Sequence, residues 1–118
     1  MINKERKQER FLRDPLPIRL AGLAASLARI ASSARRETGG EAVVLMLEES
    51  RYFIEWTAAE AKPEIAAELV DIQRMLTAWR QAWPEAHRSQ IQRTLLSIQA
   101  KKWSDQVLGY SGMLTTDC

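Results

Sequence analysis

The chain has 118 residues, of which 46% are hydrophobic and 27% charged, and its formal net charge is +2. This length suits one domain with a single core of three to five helices. No run of about 18 apolar residues occurs, so we expect no membrane span. The only cysteine is Cys118. One cysteine excludes a disulfide framework within the chain and is typical of a reducing compartment, which predicts a cytoplasmic protein.

Charge is distributed unevenly along the chain. Residues 1–36 carry nine basic and three acidic side chains, residues 37–72 carry two basic and nine acidic, and residues 73–118 carry six basic and three acidic. In one interpretation, the basic first part and the acidic middle attract each other within one fold. In the other, a basic N-terminal surface meets an anionic partner.

Residues 1–14 alternate in charge around Phe11 and Leu12, which is typical of a frayed arm or a short amphipathic helix. Pro15 and Pro17 end this arm, because proline disfavours helical geometry in the residue before it. We expect a helical bundle domain over residues 15–114 and a short tail over residues 115–118.

The first long helix is predicted over about residues 17–36, where apolar residues recur at alternating spacings of three and four. A row of alanines lies beside this seam and would let a second helix approach closely. Gly39 and Gly40 end the helix. The apolar seam consists of Leu20, Leu23, Leu27, Ile30 and Ala34.

The second helix is predicted over about residues 41–57, EAVVLMLEESRYFIEWT, and it is apolar on two faces. One face contains Val43, Leu47 and Ile54. The other contains Leu45, Tyr52 and Trp56. A helix that is apolar on two sides is usually buried on two sides. The second face is therefore covered either by the fourth helix or by another protomer.

Two further helices complete the prediction. The third runs from Pro63 to about residue 82, with Pro84 breaking it. The fourth starts at Pro84 or restarts at Ser89, and it ends near residue 108 with Gly109 as its cap and Tyr110 folding back. The fourth helix has a broad apolar face: Ile91, Leu95, Leu96, Ile98, Trp103 and Val107. Trp79, Trp83 and Trp103 are predicted core residues. The fold class is therefore all-α: an antiparallel bundle of four main helices, with or without a short N-terminal helix.

Residues that could carry chemistry do not converge in the sequence. His87 is the only histidine, and Glu85 precedes it by two residues, the wrong spacing for a metal-binding Glu-x-x-His motif. Ser89 is also two residues from His87, so the two cannot share a helix face as nucleophile and base. Three acidic residues lie close to Arg51 in the sequence: Glu48, Glu49 and Glu55. In the simplest interpretation, they form a surface charge network with it. We expect no enzyme activity, no metal and no cofactor.

Nucleic-acid binding is the main alternative function. It requires lysines and arginines clustered on one face. The candidate anion-binding residues are Lys4, Arg6, Lys7, Arg10, Arg13 and Arg19. Three acidic residues, Glu5, Glu9 and Asp14, interrupt this cluster.

Three segments of the chain resemble a group of small uncharacterised helical proteins of cyanobacteria. They are EESRYFIEWTA at residues 48–58, residues 68–70 followed by Trp79 and Trp83, and the ending WSDQVLGYSG at residues 103–112. The similarity covers residues 18–114 and contains no catalytic motif. It implies a bacterial cytoplasmic protein and carries no activity over to any residue.

The favoured function is a non-enzymatic protein–protein interaction or assembly module. We expect a homodimer or a complex with another protein, formed through Leu45, Tyr52 and Trp56. The alternative is a nucleic-acid-binding regulator that uses the basic N-terminal region. No membrane partner is expected.

Overall fold

A computed structural model of the protein describes residues 4–112, which form helices and no strand. The helices of this range are α1 (Lys4–Leu12), α2 (Leu16–Ala34), α3 (Gly40–Ala58), α4 (Pro63–Ala86) and α5 (Gln90–Ser111). The predicted all-α fold is confirmed over these residues. A short helix, α1, lies within the predicted arm, while the predicted tail at residues 115–118 lies outside the described range.

The four long helices enclose one hydrophobic core. α2 packs closely on α5 and on α3, α3 also packs on α4, and α4 approaches α5 more loosely. The core contains leucines that are fully buried, which follow the seams seen in the sequence. They are Leu23, Leu27, Leu47, Leu69, Leu76 and Leu96.

α2 and α5 approach closely because their facing side chains are small. Ala24 and Ala100 are buried between them. The Ser104 hydroxyl donates a hydrogen bond to the Ala24 carbonyl oxygen at 2.8 Å, and the Ser97 hydroxyl donates to the Ala31 carbonyl oxygen at 2.6 Å. The two helices therefore run in opposite directions, and each serine is satisfied by a backbone oxygen of the neighbouring helix.

Two predicted helix ends were wrong. Pro84 does not break α4, which continues to Ala86. Proline removes one hydrogen bond near the helix end, but it is exposed there, while the neighbouring Trp83 and Ala86 are buried and hold the last turn in place. α5 continues past Gly109 to Ser111, and Gly112 supplies the left-handed conformation (φ 80°) that ends it.

The start of α5 agrees with one of the two predicted alternatives. The Ser89 side chain accepts a hydrogen bond from the backbone N–H of Gln92 and caps the helix. Tyr110 does not fold back, since it belongs to the helix, and its hydroxyl donates to Glu68 of α4.

Candidate interaction surfaces

The predicted interface residues occupy different environments. Trp56 is only 8% exposed and Leu45 is 52% exposed, while Tyr52 is half-buried. The rings of Tyr52 and Trp56 stack with centroids 5.7 Å apart. The structure thus brings these two aromatic side chains together and leaves Leu45 separate on the solvent side of α3.

The cover over Trp56 within the chain comes from α1. Phe11 of α1 stacks on Phe53 with centroids 4.3 Å apart, and it lies 5.8 Å from the centroid of Trp56. Stacked and tilted aromatic pairs at these distances contribute beyond the area they bury. The second apolar face of α3 is therefore partly closed by α1, a cover that neither alternative in the sequence analysis included.

Several candidate anion-binding residues contact acidic or aromatic groups of the same chain. Lys7 forms an ion pair with Glu49. The Lys4 Nζ lies 4.5 Å from the centroid of the Tyr52 ring, a cation–π geometry. These contacts direct two of the six candidates towards α3.

Arg19 is the most deeply buried of these candidates, since its side chain is only 5% exposed. Its guanidinium donates to both carboxylate oxygens of Glu60, at 2.7 and 3.0 Å, and its Nε donates to the Asp14 carbonyl oxygen at 3.0 Å. The hydrogen bonds from Arg19 lower the pKa of Glu60 below its ordinary value. A guanidinium held in this way joins α2 to the end of α3 and is not available to an external phosphate.

The remaining candidates lie on the exposed side of the arm. Arg13 lies 3.9 Å from Glu9, one helical turn away, and Arg6 and Arg10 are exposed on α1. Exposed pairs of this kind contribute little to stability. The six residues predicted to form one basic patch are thus divided between three that contact α3 or the turn after it and three on the arm whose side chains are exposed.

Glu49 joins three helices. Its carboxylate accepts hydrogen bonds from Lys7 of α1, from the Ser26 hydroxyl of α2 at 3.0 Å and from Arg29 at 3.2 Å. Burial alone would raise the pKa of Glu49. The hydrogen bond and charge of Lys7, the hydrogen bond from Ser26 and the charge of Arg29 outweigh it, so the pKa lies below its ordinary value. Glu48 contacts Arg80 of α4, at 2.9 Å. These two glutamates therefore pair with neighbouring helices and not with Arg51.

His87 has a packing role. Its ring lies against Gly40, where an added Cβ would come within 2.8 Å of the imidazole. The Trp83 indole N–H donates to the Gly40 carbonyl oxygen at 3.1 Å. These contacts join the end of α4 to the start of α3, beside an open cavity of about 460 Å³. Ser89 caps α5, so it makes no nucleophile–base pair with His87.

Exposed apolar side chains lie on the outer sides of the neighbouring helices α4 and α5. Ile91 is 72% exposed, Ile98 48%, Leu95 42% and Met75 40%. Between the helices is a groove of about 300 Å³, where the indole N–H of Trp79 donates to the Gln99 side chain at 2.8 Å. We call this surface the α4–α5 face and define it by its exposed apolar residues. They are Met75, Ala78, Ala82, Ile91, Leu95 and Ile98.

Three of these residues belong to the broad apolar face predicted for the fourth helix. The structure divides that face. Leu96, Trp103 and Val107 point into the core, whereas Ile91 and Ile98 are exposed. The breadth of this apolar face is the sequence feature that could have indicated an exposed apolar surface, since a helix with a broad apolar surface can be covered on two sides by different partners.

Comparison with protein-family models, with curated proteins and with solved structures finds no significant match to this chain. Among residues 4–112, no helix is long and apolar enough to cross a membrane. The same residues contain no group of three or more histidine, cysteine, aspartate or glutamate side chains placed to hold a metal ion.

Proposed function

We propose that this chain is a non-enzymatic protein–protein interaction or assembly module, an antiparallel bundle of α2 to α5 with α1 as an accessory helix. The observation that carries the proposal is the exposure of the α4–α5 face. Contiguous apolar patches on a folded chain mark interaction sites more often than single exposed apolar residues do. We assign the module to the cytoplasm on the basis of its single cysteine.

The polar residues favour an interaction role over catalysis. A catalytic site needs a nucleophile, base or acid placed within hydrogen-bond reach of a shared reacting atom. Here Glu49 joins helices, His87 packs on Gly40, and Ser89 caps a helix. Each candidate group has a structural task in a different part of the molecule.

The nucleic-acid-binding alternative has less support. Phosphate contact requires several free cationic groups on one surface. Lys7 and Arg19 instead neutralise Glu49 and Glu60 of the same chain. The basic N-terminal region is then explained by attraction to the acidic middle of the chain.

The test measures the native mass of the full chain in an extract of its own cells. Three versions are compared: the wild type, Leu95→Glu on the α4–α5 face, and Leu45→Glu. Leu45 is a matched control because it is an exposed leucine on α3, at 52% exposure compared with 42% for Leu95. A charge introduced into the core of an interface is strongly unfavourable.

We expect the wild type and Leu45→Glu to migrate well above the mass of one chain, and Leu95→Glu to migrate as a single chain. Loss of the complex only in Leu45→Glu would move the interface to the surface predicted from Leu45, Tyr52 and Trp56. A wild type that migrates as one chain would contradict the proposal.

A further inference from the structure

The exposed side of α5, with the turn before it, carries a regular seam. Five exposed residues of α5 follow one another at spacings of four, three, four and three, and the exposed Arg88 lies just before them in the turn that precedes the helix. This is the spacing by which one helix packs along another in a coiled coil. We call them the α5 seam: Arg88, Ile91, Leu95, Ile98, Lys102 and Asp105.

The seam has an apolar centre and oppositely charged ends. Ile91, Leu95 and Ile98 form the centre, with basic Arg88 at one end and acidic Asp105 at the other. Because the spacing reads the same in both directions, the seam matches a reversed copy of itself. A surface that is complementary to itself is what a two-fold symmetric dimer requires.

We propose that the occupant of the α4–α5 face is a second copy of this chain, with the two α5 helices antiparallel about a two-fold axis between Leu95 and Ile98. In this register, Leu95 of one chain faces Ile98 of the other. Ile91 faces the aliphatic stem of Lys102, and Arg88 faces Asp105. The inference rests on the proposed function, since it names the partner of the same surface.

Electrostatics distinguishes this arrangement from a parallel one. A parallel pair would place each charged residue opposite its own copy, so that Lys102 faces Lys102 and Asp105 faces Asp105. Like charges placed opposite each other disfavour an arrangement, and they are a common source of orientation specificity. Within one chain, Asp105 contacts Lys101 at 2.8 Å, and both side chains are more than half exposed. An exposed pair contributes little, so Asp105 can turn to Arg88 of the second copy at small cost.

The available area fits a dimer at the small end of the known range. The helical part of the seam, from Ile91 to Asp105, spans 14 residue steps, about 21 Å at the helical rise of 1.5 Å per residue, and the preceding turn with Arg88 extends it to roughly 26 Å. With α4 beside α5 at a helix spacing of about 10 Å, the face measures roughly 26 by 20 Å. Two such faces bury on the order of 1,000 Å², about the lower limit for a specific interface. A concentration-dependent dimer is therefore expected.

The test uses the purified full chain and measures its mass by light scattering over a wide range of concentration. Five versions are compared: the wild type, Leu95→Glu, Arg88→Asp, Asp105→Arg, and the double variant that carries both charge reversals. Each single reversal places like charges opposite each other twice in the dimer. The double variant restores opposite charges in the proposed register. Circular dichroism checks that every version is folded.

We expect a wild-type dimer, a monomeric Leu95→Glu, and dimer dissociation constants raised about tenfold by either single reversal, which corresponds to about 1.4 kcal/mol. The double variant should return close to the wild-type value, and the differences should shrink at high salt. A purified wild type that is monomeric at all concentrations would overturn the inference, while a larger complex in extracts would preserve the proposed function. If both single reversals leave the dimer dissociation constant unchanged, the proposed register is wrong, while the pairing of two copies through this face stands.

Discussion

The two sides of α5 pack in opposite ways. Towards α2, Ala100 is completely buried, and Ser97 and Ser104 donate to backbone oxygens of α2, so the two helices lie close together. Towards α4 the contact is loose and leaves an open groove, and Leu95 on the outer side of α5 is 42% exposed. One helix therefore provides a closed seam on one side and an unfilled apolar surface on the other.

The difference shows how side-chain size decides which apolar residues a small bundle can cover. Small residues let two backbones approach until the space between them is filled. On the other side, α4 contacts α5 less closely, and Met75 and Trp79 line an open groove between the two helices. Apolar residues that are left outside such a seam are available to another chain.

The largest difference in expected effect is between two neighbouring leucines of α5. Leu96 is fully buried and Leu95 is 42% exposed. Leu96→Ala should lower the free energy of unfolding by about 2–5 kcal/mol, because it leaves a cavity in the core. Leu95→Ala should change the stability of the monomer by less than about 1 kcal/mol and should weaken self-association. Urea unfolding at a concentration low enough to keep the chain monomeric measures both values. Equal losses would show that the outer side of α5 is core.

The second prediction compares two alanines. Ala100 lies in the closed α2–α5 seam, whereas Ala78 lines the open groove. Ala100→Leu should destabilise the fold by about 1–3 kcal/mol, because the seam has no room for three further carbons. Ala78→Leu should be nearly neutral, since the groove can accept the added side chain. Thermal unfolding of the two variants compares the loss of stability in the filled α2–α5 seam with that in the open groove. A destabilised Ala78→Leu would mean that the groove is closed in solution.

Two helical glycines differ in the same way, one in a crowded position and the other in an open one. A Cβ at Gly40 would meet the His87 ring at 2.8 Å, while a Cβ at Gly109 would meet nothing within 4 Å. Gly40→Ala should therefore lower stability by about 1 kcal/mol, and adding His87→Ala should recover part of the loss. Gly109→Ala should raise stability by about 0.5–1 kcal/mol, because alanine is the better helix former. A stabilising Gly40→Ala would show that the contact between α3 and α4 at this end is loose.

An effect of about the same size is expected at the contact between α1 and α3. The pKa of Glu49 is lowered in the folded chain. Its contribution is thus fully present above the unfolded carboxyl value of about 4.3 and is lost as the pH falls through the folded value. Glu49→Gln should cost about 1 kcal/mol at neutral pH, and this difference should disappear in acid. Unfolding measured from pH 7 to pH 3 checks this, with the exposed Glu55→Gln as control. A loss independent of pH would mean that the ion pairs of Glu49 are not the cause.

Most of the secondary structure was readable from periodicity and from particular end signals. Pro63 and Ser89 lie at helix starts as expected, because each has a local conformational reason to be there. Gly39 was expected to cap the end of the first long helix, but α2 ends at Ala34 and the left-handed Gly39 precedes the start of α3. Pro84 and Gly109 misled the prediction. Both can be tolerated within a helix when buried neighbours on each side hold the turn, and burial depends on tertiary packing that one sequence does not display.

The candidate surfaces were less predictable. The two-faced character of α3 was recognised, but its cover by Phe11 was not, because that residue lies in a short charged segment. For α5, periodicity groups Leu95 with Leu96 in one broad apolar face. Leu96 faces the core and Leu95 faces solvent, and one sequence does not show which part of a broad apolar face the neighbouring helices cover.

The most direct test of the account is the mass of the purified full chain, measured by light scattering over a wide range of concentration together with Leu95→Glu. The account predicts twice the mass of one chain for the wild type at high concentration and a folded single chain for the variant. A wild type that stays monomeric throughout, or a dimer unaffected by Leu95→Glu, would contradict pairing of two copies through the α4–α5 face.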